Sequence, residues 1–183
     1  MKYSVEKLIA DNGPKKYLFF WGHQPSKDGS ITKSCLSQWW ESPFIVEGIT
    51  YKSAEHWMMA KKASLFGDSE MGVRILECVS PAEAKKLGRE VRGYDDALWT
   101  AHRYNIVMQG SYHKFSQNED LKQFLLGTEN RVLVEASPVD PIWGIGLDGE
   151  SAEAFHPENW RGLNLLGFAL MEARERIKNN ETL

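Results

Sequence analysis

Cysteine is scarce: Cys35 and Cys78 are the only two in 183 residues. Two isolated thiols give neither a disulfide framework nor the paired spacing of a zinc site, and they read as free thiols of a reducing compartment. No run of about 18 apolar residues occurs, so no membrane span is expected. The opening residues, MKYSVEKLIADNG, lack the apolar stretch and small-residue exit of a secretory leader, which points to a cytoplasmic protein. Excess positive charge is missing as well, with 22 Lys and Arg against 25 Asp and Glu and a net charge of −3. A domain held to nucleic acid by phosphate neutralisation usually carries the opposite balance, so the composition favours a small-molecule ligand unless a local basic patch exists. His23, His102, His113 and His156 show no ligand spacing, and neither a metal nor a redox cofactor is expected. Internal repeats and low-complexity tracts are absent, and nothing in the chain speaks to its oligomeric state.

What is present suits one globular domain over residues 1–183, with 42% apolar and 26% charged residues. Seven tryptophans are many for this length. Core packing accounts for any one of them, and several together also suit a pocket that stacks on a flat heterocycle. The run YLFFWG at 17–22 reads as a short buried strand, and FIVEGITY at 44–51 as a hairpin around Glu47-Gly48. Ser53 caps a helix to about Phe66 that Gly67 stops. Ser80-Pro81-Ala82-Glu83 is a capping box opening a helix that Gly88 ends. Further helices are expected from about Asp96 to Lys114, from Asn118 to Gly127, and from Leu163 to Lys178. RVLVEAS at 131–137 is the late strand, and the stretch from Pro138 to Trp160 reads as a long ordered loop of the functional kind. The expected class is α+β, a single compact domain, mostly helical around a small β-sheet.

The helix from Ser53 breaks its own pattern. Residues three and four apart share a helix face, so Glu55, Met58, Met59, Lys62, Leu65 and Phe66 form one stripe. Its large apolar members mark it as inward, which sets Glu55 and Lys62 on the wrong side for ordinary surface charges. They lie two turns apart, about 10 Å along the axis. Two readings share this spacing. Glu55 suits the dipole of a first turn, and Lys62 suits a last turn from which it can snorkel. Alternatively both line a cleft, where burial raises the acid's pKa and lowers the amine's, giving a general acid/base and a usable nucleophile.

The order of several short motifs carries a resemblance. Leu36-Ser37-Gln38-Trp39, Ser42-Pro43-Phe44 and the run from Tyr51 through Glu55-His56-Trp57 to Lys62 resemble the signature of the NADAR superfamily, the YbiA-like N-glycosidases. The likeness continues at Gly88-Arg89, Leu133-Val134-Glu135-Ala136, Asp140, Trp143-Gly144-Ile145-Gly146, Asn164-Leu165-Leu166-Gly167 and Leu170 to Arg174, so it spans about 18–176. Gln38 and Trp57 stand where Asn and Tyr are commoner in the family.

The resemblance implies hydrolysis of ribose linked to an exocyclic amino group. Two substrate classes are associated with it: phosphoribosylamino-pyrimidine intermediates of riboflavin synthesis, and ADP-ribose on guanine in DNA. The expected partner is therefore a small ribosylated molecule, with ADP-ribosylated nucleic acid as the alternative and a non-catalytic ADP-ribose-binding module as a third reading. Glu55 is expected to shuttle the proton and Lys62 to form a Schiff base with C1 or to hold the ribose. A plainer route uses direct water attack, with Glu55 protonating the base and Asp140 activating water. Ser37, Gln38 and Trp39 are expected at the substrate, as are Trp143, through stacking, and Gly144, through close backbone approach. Asn164 reads as the N-cap of the last helix or as part of a phosphate site there. Arg89 and Arg92 read as surface charges or as a phosphate clamp.

Overall fold

The computed structural model describes residues 1–183. Its helices are α1 (Val5–Ala10), α2 (Ala54–Leu65), α3 (Ser69–Glu77), α4 (Pro81–Arg89), α5 (Asp96–Gln117), α6 (Glu119–Gly127) and α7 (Leu165–Lys178). Its strands are β1 (Tyr17–Phe20), β2 (Glu41–Val46), β3 (Ile49–Ser53) and β4 (Val132–Glu135). The α+β class holds, with helices dominating, but the strands form two separate pairs rather than one sheet. β1 and β4 run parallel, Tyr17 opposite Val132 through Phe20 opposite Glu135. β2 and β3 are antiparallel.

Local chemistry explains each element. Glu47 and Gly48 both take positive φ, the geometry of a two-residue turn whose twist matches a hairpin. The β2–β3 register slips between Glu41 and Phe44, where Pro43 has no N–H to give the ladder. The Oγ of Ser53, Ser80 and Asp68's carboxylate each accept a backbone N–H of the helix that follows. Asp68 serves a helix, α3, that the sequence pattern did not announce. Gly88 does not end α4 as expected; it lies inside, packed so close to Met59 that a methyl there would overlap its thioether.

α2 is the hub, packed by α3, α4 and α5, with α5 in turn lying along α7. All of its residues from Ala54 to Ala60 are buried. The single inward stripe read from the sequence is thus too narrow a description, and His56, off that stripe, is buried too. Its ring spans the Ser53 hydroxyl at 2.8 Å and the Cys78 carbonyl at 3.3 Å. Trp57 donates its indole N–H to the Ile106 carbonyl at 2.8 Å, pinning α2 to α5.

β4 is held by α7. Asn164, at the N-cap position of α7 in a left-handed conformation, makes no cap with its side chain. Its amide instead bridges β4, donating to the Leu133 carbonyl at 2.9 Å and accepting from the Glu135 N–H at 3.0 Å. Gly167 lies against the same place: a Cβ there would stand 2.1 Å from the Leu133 oxygen and 2.6 Å from the Asn164 amide. Backbone cannot move aside as a flexible side chain can. Gly167→Ala is therefore expected to lower the unfolding free energy by about 1–3 kcal/mol, as overpacking does, measured by urea denaturation. Unchanged stability would mean that α7 and β4 do not meet this closely.

Candidate active site

Glu55 begins the construction. It is the second residue of α2 and only 3% exposed, and its Oε1 has no hydrogen-bond partner. Its backbone N–H donates to the Gln38 carbonyl at 3.0 Å, which ties the helix start to the loop after Leu36. Burial pushes its carboxyl up to about 7. Lys85, the Trp39 indole and Arg89 pull the other way, while Asp140 adds to the rise.

A second acid stands within electrostatic reach. Glu135, the last residue of β4, is also pushed up, to about 8, first by burial and then by Asp140 and Glu55. Its Oε2 is buried with no hydrogen-bond partner. Its main chain is clamped on both sides, by Asn164 and by the Ile145 N–H at 2.9 Å. The site therefore gathers three carboxylates, Glu55, Glu135 and Asp140, with two cations from one face of α4, Lys85 and Arg89, which sit four residues apart. Lys85 also lies over the Trp39 ring, 5.7 Å from its centroid.

The loop that carries Ser37, Gln38 and Trp39 is anchored from beneath. Lys114 of α5 is 1% exposed and donates to the carbonyls of Cys35 at 2.6 Å and Ser37 at 2.8 Å. Burial lowers its pKa to about 7, and no carboxylate offsets that cost. The Ser37 hydroxyl accepts the Trp39 N–H at 3.1 Å, and the buried Gln38 amide lies 3.7 Å from the Met58 sulfur. Ser37 and Gln38 thus shape the loop, and Trp39 is the member that faces Glu55.

Asp140 and Trp143 form a turn of their own. Asp140 Oδ1 accepts the N–H groups of Ile142 at 2.9 Å and Trp143 at 2.8 Å. Gly144 is buried, and a Cβ there would stand 2.7 Å from the Glu135 carbonyl. The close approach read from this glycine is made by the chain's own backbone at the end of β4. Asn164 likewise spends its amide on β4 and reaches the site through Glu135. The loop from Pro138 to Trp160 is ordered, with two short 3-10 turns at Ala152–Phe155 and Pro157–Asn159.

Lys62 is placed differently from Glu55. Its Nζ donates to the Gly88 carbonyl at 2.8 Å and lies 4.4 Å and 5.6 Å from the ring centroids of Tyr94 and Trp99. Burial lowers its pKa. The cations that act on Glu55 are Lys85 and Arg89, so Glu55 and Lys62 share a helix without forming a pair. Arg92 is engaged within the fold: its backbone N–H and guanidinium donate to Asp68, the cap of α3, and the guanidinium also to Glu70.

A groove of about 460 Å³ opens beside the cluster, lined by His23, Pro25, Trp39, Trp40 and the first residues of α4. A second, of about 590 Å³, lies at the carboxyl ends of β1 and β4, between Trp21, Lys33, Ala136 and Asp148. A cavity of about 890 Å³ lies elsewhere, between α1 and α7.

A parallel strand ending in a partly buried acid, a fully buried acid on a central helix, and a tryptophan beside a groove make an arrangement suited to proton transfer. The chain is a hydrolase acting on N-glycosyl bonds. It belongs to the NADAR domain family, which matches residues 19–178. It is similar to N-glycosidase R617 of Acanthamoeba polyphaga mimivirus, 44% identical over 165 residues, covering 87% of this chain and 95% of that protein. It also resembles N-glycosidase YbiA of Escherichia coli, 30% identical over 135 residues, covering 74% and 76% respectively. The NMR structure of the E. coli YbiA protein superposes with a TM-score of 0.70, covering 91% of this chain and 88% of that one at 25% identity.

Glu135, Lys85 and Lys114 were not singled out by sequence reasoning. Glu135 stood in a quoted motif, and its signal was an acid closing an otherwise apolar strand, VLVE. Lys114 shares a buried face with Val107, Gly110 and Ser111, a pattern that would have marked it inward. Lys85 had no signal beyond its spacing from Arg89.

The raised acids make stability depend on pH. A carboxyl whose folded pKa lies above its unfolded value near 4.5 contributes its stability fully below that value and loses it as pH rises through the folded pKa. Glu135→Gln should therefore melt several degrees above the wild type at pH 9 and together with it at pH 4, read by circular dichroism. A lower midpoint for the variant at pH 9 would show that the carboxylate is well accommodated.

Proposed function

We propose that the enzyme hydrolyses the bond between ribose C1 and an exocyclic amino group of a phosphoribosylamino-pyrimidine. The observation that carries this reading is a pair of raised carboxyls, Glu55, buried beside Trp39 and within reach of the α4 cations, and Glu135, within electrostatic reach of Glu55. An amine is a poor leaving group and departs only when it receives a proton, so an acid that stays protonated near neutrality fits the reaction. The pyrimidine stacks on Trp39 in the groove shared with Trp40 and His23, a flat face on a flat face. Lys85 and Arg89 draw the phosphorylated ribose to the mouth of the site. Asp140 holds the turn that presents Trp143, and its charge adds to the rise that burial gives the neighbouring acids. No metal or redox step is needed for this chemistry.

Base release measured by mass spectrometry tests the reading. Wild type should turn over the phosphoribosylamino-pyrimidine, and Glu55→Gln should lose about 10²–10⁴-fold in kcat, the range a general acid/base contributes. Release from ADP-ribosylated guanine DNA instead would move the substrate to that class. Binding of either without release would overturn the substrate assignment for both classes.

A second route is favoured by one observation, the lowered pKa of Lys62 beside Tyr94 and Trp99. A neutral amine there attacks C1 of the ring-opened imine, expels the base amine and leaves a Schiff base that water resolves. Under this route borohydride with substrate adds a ribosyl mass to Lys62. Full activity of Lys62→Ala without such an adduct leaves direct water attack as the mechanism.

A further inference from the structure

Glu55 and Glu135 share a site but not an environment. Everything with a positive end that reaches this cluster is aimed mainly at Glu55. From α4 come Lys85 and Arg89, and from the loop after Leu36 comes the Trp39 indole N–H. On Glu135 Lys85 is the one cation that acts, and its effect is smaller than that of the two acids, Glu55 from α2 and Asp140 from the loop after β4. The Oε2 of Glu135, like Glu55 Oε1, is buried and no donor reaches it, but Glu135 lacks the Trp39 indole and the Arg89 guanidinium that act on Glu55. A carboxylate in such a position would be a charge without a partner; a protonated carboxyl carries its own hydrogen and needs only an acceptor.

We propose that Glu135 is a catalytic residue of this enzyme, the general acid that protonates the leaving amine, and that Glu55 is the carboxylate that takes the proton from water. This assignment rests on the hydrolytic reading above and divides the proton work that reading leaves undivided. The step balances. The Glu135 proton passes to the exocyclic nitrogen as the C1–N bond breaks, and the bond pair leaves with that nitrogen as a free amine. A water oxygen bonds to C1 while its proton passes to Glu55. Transfer of that proton from Glu55 to Glu135 restores the starting pair. Two carboxyls whose surroundings separate their affinities are the arrangement that acid and base roles need in one site.

The clamp on β4 gains a purpose under this assignment. The Asn164 amide and the Ile145 N–H fix the backbone of Glu135 on both sides, and Gly144 lets the following turn lie against its carbonyl. A proton donor has to meet one nitrogen at hydrogen-bond distance, so a rigid strand end is a suitable mount.

The test separates leaving groups. Two substrates are compared, the phosphoribosylamino-pyrimidine and 4-nitrophenyl ribofuranoside 5-phosphate, whose phenolate departs without a proton. Glu135→Gln, close in shape to the protonated acid, should lose about 10²–10⁴-fold on the amine substrate and less than about tenfold on the nitrophenyl one. Glu55→Ala should fall on both, and added azide should restore it on the nitrophenyl substrate with a ribosyl azide product. Glu135→Gln within threefold of wild type on the amine, or the leaving-group-selective loss appearing in Glu55→Gln instead, overturns the assignment. Wild type inactive on both substrates would count against the hydrolytic reading alone. The proton's place is then read without turnover, by the carboxylic acid C=O stretch in infrared spectra of the whole protein at pH 7. Loss of that band in Glu135→Gln and its retention in Glu55→Gln supports the proposal; the reverse overturns it.

Discussion

The enclosure of α2 on every side governs the chemistry at its first turn. A carboxylate at the start of an ordinary surface helix gains from the dipole and from water and ionises readily. Glu55 occupies that position with α3, α4 and α5 packed around its helix, and the loss of water outweighs both the dipole and two nearby cations. Packing therefore turns a common helix-start residue into an acid that titrates near neutrality. Removing bulk from Met58, Met59 or Trp57 would admit water and act on Glu55 without touching it.

Two further devices deliver the rest of the site to that helix. Lys114 fastens the loop of Ser37 to Trp39 from below through two carbonyls. Asn164 fastens β4 from the side, and Gly167 permits the approach. Both use a buried polar side chain whose hydrogen bonds go to backbone, the kind of interaction that is costly if broken and specific in direction. Neither touches the cluster, yet each sets the position of a residue that does, Trp39 in one case and Glu135 in the other.

The electrostatics of the cluster follow from what α4 can reach. Its Lys85 and Arg89 lie one turn apart on the face turned to the site, and both act on Glu55. Lys62 meets the other end of the same helix, donating to the Gly88 carbonyl, where a cation is favoured by the helix dipole. α4 is thus held at its C-terminal end by one lysine of α2 while its own lysine serves the acid of α2. The net charge of −3 hides this local arrangement of both signs.

Residues close in sequence were legible from sequence. The hairpin around Glu47-Gly48, the caps at Ser53 and Ser80, the long helix from Asp96 and the strand at Val132 depend on turn chemistry, capping and short-range periodicity, which are local properties. Glu55 was visible because it broke a pattern within one helix, and Asp140 and Trp143 because a family signature carried them. Helix α3 escaped notice although Asp68 caps it, and Asn164 was read as a helix cap because its use on a strand 29 residues away leaves no local trace. That Glu55 acts on Glu135 while Lys62 turns to the Gly88 carbonyl was likewise beyond a one-helix view. The sequence by itself determined which segments become helices and strands and that an acid lies on an apolar helix. Only the tertiary structure decided which charges meet, because burial and electrostatic reach depend on distances between segments that local chemistry does not set.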